Sequence, residues 1–217
     1  MSKKDHIGKL DRRAGFKPQY LGYYIIVTDG KETEPNFFNG IKNQINDDIK
    51  NKVVIKVKTK HTKDLIDFIL EELNKSPNYA EPWIVFDKDE VMNFDELIYK
   101  TKNKDINVAW SNPCIEILFL AYFGKNPTVS NQKECISRLE EIYKKETNIK
   151  YEKNEKKIYE ILNEYGDERR AIEIMDRKYK EYVENTNIKP SKMNGVSIVY
   201  NLIKKIKISG RWCEKGT

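Results

Sequence analysis

Short apolar runs alternate with amphipathic stretches through the first half of the chain. Tyr23-Tyr24-Ile25-Ile26-Val27-Thr28 is continuous and β-rich, the pattern of a strand covered on both faces. Thr33-Glu34-Pro35-Asn36 then opens a helix, with Thr33 as the expected N-cap and Pro35 tolerated in the first turn, where it has no amide to leave unsatisfied. Phe37, Phe38, Ile41 and Ile45 form that helix's apolar side. Residues 53–58 alternate apolar and lysine, as a half-buried or edge strand does. Leu65, Ile66, Ile69, Leu70 and Leu73 recur at helical spacing and predict a helix over 62–74, broken by Ser76-Pro77-Asn78. A buried strand at 83–86, a short helix at 94–102 and a strand at 106–110 follow. Asn112-Pro113 then opens an apolar helix running to about residue 123, with Asn112 as its expected cap.

This alternation predicts a mostly parallel, four-stranded sheet with helices on both faces. From about residue 131 the pattern reads as helix only. One stripe holds Ile136, Leu139, Ile142 and Tyr143; a second holds Ile158, Ile161, Leu162 and Tyr165. A third holds Ile172, Met175, Tyr179 and Tyr182; a fourth holds Val196, Val199, Tyr200, Ile203 and Ile206. Such stripes are core-packing surfaces. The expected organisation is an arm over 1–20, an α/β core over 21–125 and a helical portion over 126–217 packed on it. The Lys/Glu-rich stretch 144–157 reads as a flexible connection.

Charge modifies this picture at the ends. The chain's net +6 is concentrated in residues 1–20 and 200–217, at +4 each, leaving −2 between them. Basic ends on a mildly acidic body suit phosphate contacts, or serve as solubilising tails. Residues 49–63 add six lysines with no acid, among them Lys58 and Lys60 as candidate nucleic-acid contacts. His61 in that stretch reads as a surface residue. Cys114, Cys135 and Cys213 form no CxxC pair, and with His6 and His61 the only histidines a zinc site is not expected. No apolar run approaches the ~18 residues a membrane span needs. The first residues are charged and lack the apolar centre of a signal peptide. The expectation is a cytoplasmic protein with no membrane partner.

The candidate chemistry lies at the strand ends. The first apolar run ends in Asp29-Gly30, and Trp83-Ile84-Val85-Phe86 ends in Asp87-Lys88-Asp89. In α/β sheets, ligands bind outside the carboxyl ends of the strands. Carboxylates there suit Mg²⁺ or Mn²⁺, hard cations that take oxygen ligands and leave room for substrate phosphate. On an extended backbone, Asp87 and Asp89 point to one side and face one ion, which Asp29 joins if the strands are neighbours. Lys31 and Lys88 stand beside these acids as phosphate contacts or as plain surface lysines. Glu116 either aims at the metal or sits favourably near a helix N-terminus. No GxxxxGK, GxSxG or GxGxxG motif is present, so P-loop, serine-hydrolase and dinucleotide chemistry are not supported.

Thr28-Asp29-Gly30-Lys31-Glu32-Thr33-Glu34-Pro35-Asn36-Phe37-Phe38 resembles the glycine-centred first motif of RloB-like proteins, a family that includes a plasmid abortive-infection protein. Phe86-Asp87-Lys88-Asp89-Glu90 resembles their second motif, and Ser111-Asn112-Pro113-Cys114-Ile115-Glu116 their third. The resemblance spans roughly residues 12–207. It implies a TOPRIM-type fold that holds Mg²⁺ for phosphodiester chemistry. Carried over by position, it places the first-motif acid at Asp29, the metal-binding pair at Asp87 and Asp89, and the flanking acids at Glu34 and Glu116. The family usually has Glu where this chain has Asp29, which reaches one methylene less.

The resemblance implies a Mg²⁺- or Mn²⁺-dependent endonuclease of anti-phage defence, acting on DNA or RNA, with tRNA one substrate class. It also implies a partner ATPase with an ABC- or SMC-like head; a homodimer is left open. The contrasting expectation is a non-catalytic nucleic-acid-binding or regulatory subunit of a defence complex.

Overall fold

A computed structural model describes residues 23–57, 65–185 and 188–211. The expected arm over 1–20, together with Lys58, Lys60, His61 and Cys213, lies outside the described residues. The first strand, β1 (Tyr23–Thr28), leads into α1 (Thr33–Gln44), the short α2 (Asp47–Lys50) and β2 (Val53–Val57). Next come α3 (Leu65–Asn74), β3 (Ala80–Asp87), α4 (Phe94–Lys102), β4 (Asn107–Asn112) and α5 (Glu116–Tyr122). The chain continues through α6 (Gln132–Thr147), α7 (Ile158–Tyr165), α8 (Glu168–Asn185), β5 (Val196–Ser197) and α9 (Val199–Arg211).

The strands form one sheet in the order β2-β1-β3-β4-β5. The first four are parallel, as the strand–helix alternation demands. The fifth is antiparallel to β4, pairing Ser111 with Ser197 and Asn112 with Val196. This corrects the expectation of four strands followed by helix only. Two residues carry too little period-2 signal to stand out beside a helical stripe, and Val196 was read as part of that stripe. The Ser111 and Ser197 hydroxyls meet at 2.9 Å in the buried interior, adding a side-chain bond across the pair.

The apolar run of β1 is buried from Tyr24 to Thr28, as expected of a strand with neighbours on both edges and cover on its faces. β3 begins three residues earlier than the hydrophobic run suggests, because Pro82 lies inside it and reads as a breaker. β4 extends two residues further than expected, through Asn112. Asn112 therefore does not cap the next helix. Its amide donates to the carbonyls of Pro190 and Ser191 at 3.2 and 3.1 Å, fixing the segment that leads to β5.

Helices flank the sheet, and one continuous core includes Phe37 and Phe38 of α1, Leu118 and Phe119 of α5, Leu139 of α6 and Ile203 of α9. Glu168 gathers the helical portion. It accepts from Tyr122 (3.2 Å) and Tyr159 (2.8 Å) and pairs with Lys207, so α5, α7, α8 and α9 meet at one carboxylate. Among the described residues no helix is long and apolar enough to cross a membrane.

Candidate functional site

From β1 the chain passes to β2 on one side, while β3 lies on the other. The strand order therefore reverses between β1 and β3, and their carboxyl ends flank the crevice where such sheets bind ligands. Asp29 follows β1 and Asp87 ends β3. The Asp29 amide donates to the Val85 carbonyl at 3.1 Å, which extends the ladder and keeps the two acids on adjacent rows. A cavity of about 420 Å³ opens there, lined by residues 29–34, Asp87, Ile115, Glu116 and Lys153.

Each wall has a local cause. The Thr28 hydroxyl donates to the Gly30 carbonyl at 3.0 Å and tightens the turn after β1. Gly30 permits a close approach: a Cβ there would lie 2.0 Å from Glu34 Oε2. The Glu34 carboxyl, in the first turn of α1 and 5% exposed, thus rests on the bare glycine. The N-cap of α1 falls on Glu32 and not on Thr33, which lies inside the helix. The Thr33 hydroxyl is used differently, donating to the Lys153 carbonyl at 3.0 Å.

Asp87 is 4% exposed, and its Oδ2 accepts the Ile115 amide at 3.1 Å, at the start of α5. One carboxylate thereby supports a helix start and faces the cavity. Glu116, in the first turn of α5, is 1% exposed. Its Oε1 accepts from the Tyr151 hydroxyl at 3.0 Å and lies 4.0 Å from Lys153 Nζ. It sits near the helix N-terminus and also lines the cavity.

Asp89 departs from expectation. The backbone turns into a 3-10 segment over Lys88–Glu90, so the same-side geometry of an extended strand is lost after Asp87. Asp89 Oδ2 accepts from the Gln132 amide at 2.8 Å at the start of α6, and Oδ1 pairs with Lys88 at 3.2 Å. Neither residue is among those lining the cavity. Lys31 does line it.

Sequence reasoning missed Glu32, Tyr151 and Lys153. Tyr151 and Lys153 come from the α6–α7 connection, which was read as flexible but is held in place. Thr33 holds the Lys153 carbonyl, Asn36 donates to the Asn154 carbonyl at 3.2 Å, and Tyr151 is 3% exposed. Tyr151 is the one aromatic in the polar stretch 144–157, and that was the available signal. Burial first, then the Glu116 charge, pushes the Tyr151 hydroxyl well above its ordinary pKa, so it remains a donor.

The lining contains five carboxylates, from Asp29, Glu32, Glu34, Asp87 and Glu116, and two lysines. It contains no imidazole or thiol, so its donor set is oxygen only and fits a hard divalent cation. Among the described residues no three His, Cys, Asp or Glu side chains converge as a ready ligand cluster. Behind the wall, Cys114 and Cys135 are both fully buried. Their mutual hydrogen bond and burial, with the Glu116 and Asp87 charges adding, raise the Cys114 thiol well above its ordinary pKa. It is a protonated packing group, not a nucleophile.

No curated protein and no solved structure matches the chain. A family model described as RloB-like protein matches residues 24–206, well over half the sequence and all of the cavity's walls. The chain with this acid-lined crevice therefore belongs to the RloB-like protein family.

Proposed function

We propose that this protein is a Mg²⁺- or Mn²⁺-dependent endonuclease of TOPRIM type. The observation that carries the reading is that Asp29, Glu34, Asp87 and Glu116 line one cavity at the switch point of a parallel sheet. Asp29, Asp87 and Glu116 would hold the ion, with Glu34 beside them; the bound ion supplies Lewis-acid stabilisation of charge developing on phosphate oxygens. Mg²⁺ keeps several waters, so acids that do not converge as a ready cluster still suit it through bridging waters. Lys31 offers a cation to the nucleic-acid backbone at the cavity wall.

The resemblance that suggests this chemistry also suggests its setting. The protein acts in the cytoplasm as an effector of anti-phage abortive infection, on DNA or RNA with tRNA included. A partner ATPase with an ABC- or SMC-like head holds it in check. Cleavage assays with Mn²⁺ or Mg²⁺, comparing the wild type with Asp87→Ala, test the reading; equal cleavage by both proteins removes it.

A second reading is a non-catalytic nucleic-acid-binding subunit of such a complex. Two observations favour it: the shorter Asp29 in the first motif, and the use of Asp89 to hold α6. Nucleic-acid binding that weakens with salt, without any metal-linked stabilisation, would select it.

A further inference from the structure

Lys153 occupies a particular position in the cavity wall. Its backbone is fixed from two sides, by the Thr33 hydroxyl on its own carbonyl and by the Tyr151 hydroxyl on Glu116 two residues earlier. Its ammonium lies 4.0 Å from Glu116 Oε1. The two partners differ in exposure: the lysine side chain is 44% exposed and the glutamate side chain 2%. A carboxylate so deeply buried needs compensating charge. Lys153 supplies that charge, and the Tyr151 hydroxyl adds a hydrogen bond.

The metal reading above places a divalent ion on the same carboxylate. Two cations on one carboxylate repel, and the flexible, half-exposed lysine is the one able to move. Its ammonium, still in the cavity wall, would then be available to a phosphate oxygen of the substrate. We infer that Lys153 is a placeholder cation, balancing Glu116 until a divalent ion takes that carboxylate and then binding the substrate's phosphodiester. The inference rests on the metal reading and adds to it a residue from the α6–α7 connection.

Calorimetric titration of Mn²⁺ into the full chain tests it, followed by titration of dimethyl phosphate into the Mn²⁺-loaded protein. Phosphorus NMR broadening by bound Mn²⁺ reads the second step. Lys153→Gln is expected to bind Mn²⁺ roughly two- to fivefold more tightly, as expected when a partly exposed ion pair stops competing. It is expected to bind dimethyl phosphate roughly tenfold more weakly, the loss of one charge-assisted contact. Lys153→Arg, which keeps the charge, is expected to stay near the wild type in both. A merely structural lysine would weaken Mn²⁺ binding or leave it unchanged, and either result in Lys153→Gln overturns the placeholder role while sparing the metal reading. Unchanged dimethyl phosphate binding overturns it equally. Failure of the wild type to take up Mn²⁺ overturns the metal reading and this inference together.

Discussion

Asp29 and Asp87 leave neighbouring parallel strands at the same edge of the sheet, joined through the 3.1 Å bond from the Asp29 amide to the Val85 carbonyl. That adjacency follows from strand order: β1 and β3 pair directly although α1, α2, β2 and α3 lie between them in sequence. Asp87→Asn keeps the shape of the side chain, and its Oδ atom still accepts the Ile115 amide. Under the proposed function, metal-dependent cleavage is expected to fall roughly 100-fold or more, in line with the several kcal/mol a bound ion would contribute to charge stabilisation. Mn²⁺-linked thermal stabilisation, measured in parallel, is expected to disappear.

Asp89→Ala is expected to behave differently from its neighbour. Losing the acceptor for the Gln132 amide removes a cap-like bond at the start of α6 and costs about 1 kcal/mol. Mn²⁺ affinity is expected to remain near that of the wild type, because Asp89 does not line the cavity. Urea denaturation combined with Mn²⁺ titration separates the two effects.

Gly30→Ala places a Cβ against the Glu34 carboxyl. The clash is with the far end of one side chain, so the fold survives at a cost of about 1 kcal/mol. The displaced Glu34 is expected to weaken Mn²⁺ binding. The double substitution Gly30→Ala/Glu34→Ala removes the clash, and its stability is expected to exceed the sum of the single effects.

Glu168→Ala removes the acceptor shared by Tyr122, Tyr159 and Lys207. Breaking a largely buried charged network costs about 3 kcal/mol. Chemical denaturation is expected to report that loss, with Glu168→Gln intermediate because it keeps one carbonyl acceptor.

Alkali is expected to unfold the protein cooperatively. Tyr122, Tyr143, Tyr151, Tyr159 and Tyr200 are buried, and burial raises the hydroxyl pKa of each. In the unfolded chain tyrosine ionises near about pH 10, so above that pH the unfolded state holds fewer protons than the folded one. Stability is therefore retained below about pH 10 and lost above it, by up to about 1.4 kcal/mol per pH unit for each such tyrosine. Ultraviolet titration of tyrosinate is expected to show these five buried hydroxyls ionising only with unfolding.

Much of this was legible from patterning. The continuous apolar runs of β1 and β3 and the helical stripes report burial directly, and burial is what the sheet and its covering helices need. Asp29 and Asp87 were legible because strand ends are the expected ligand edge, and Glu34 and Glu116 through the motifs that resemble the family's; all four line one cavity. Misreadings came where local rules yielded to tertiary contacts. Thr33 and Asn112 have the chemistry of caps, but their side chains are claimed by carbonyls 120 and 78–79 residues away. Asp89 was placed by assuming an extended backbone that turns at Lys88. Stretch 144–157 looked unstructured because its charged residues outnumber the one aromatic that anchors it.

The antiparallel pairing of Val196–Ser197 with β4 bears on how the molecule is made. A ribosome delivers β4 long before the strand that covers its outer edge. Until then the nascent sheet presents an open row of amides and carbonyls along β4, and before residue 153 emerges the pocket also lacks the wall that Lys153 supplies. The β5 contact and the Lys153 wall both follow the first-motif acids in synthesis, so an unfinished chain holds those acids without the surroundings that position them.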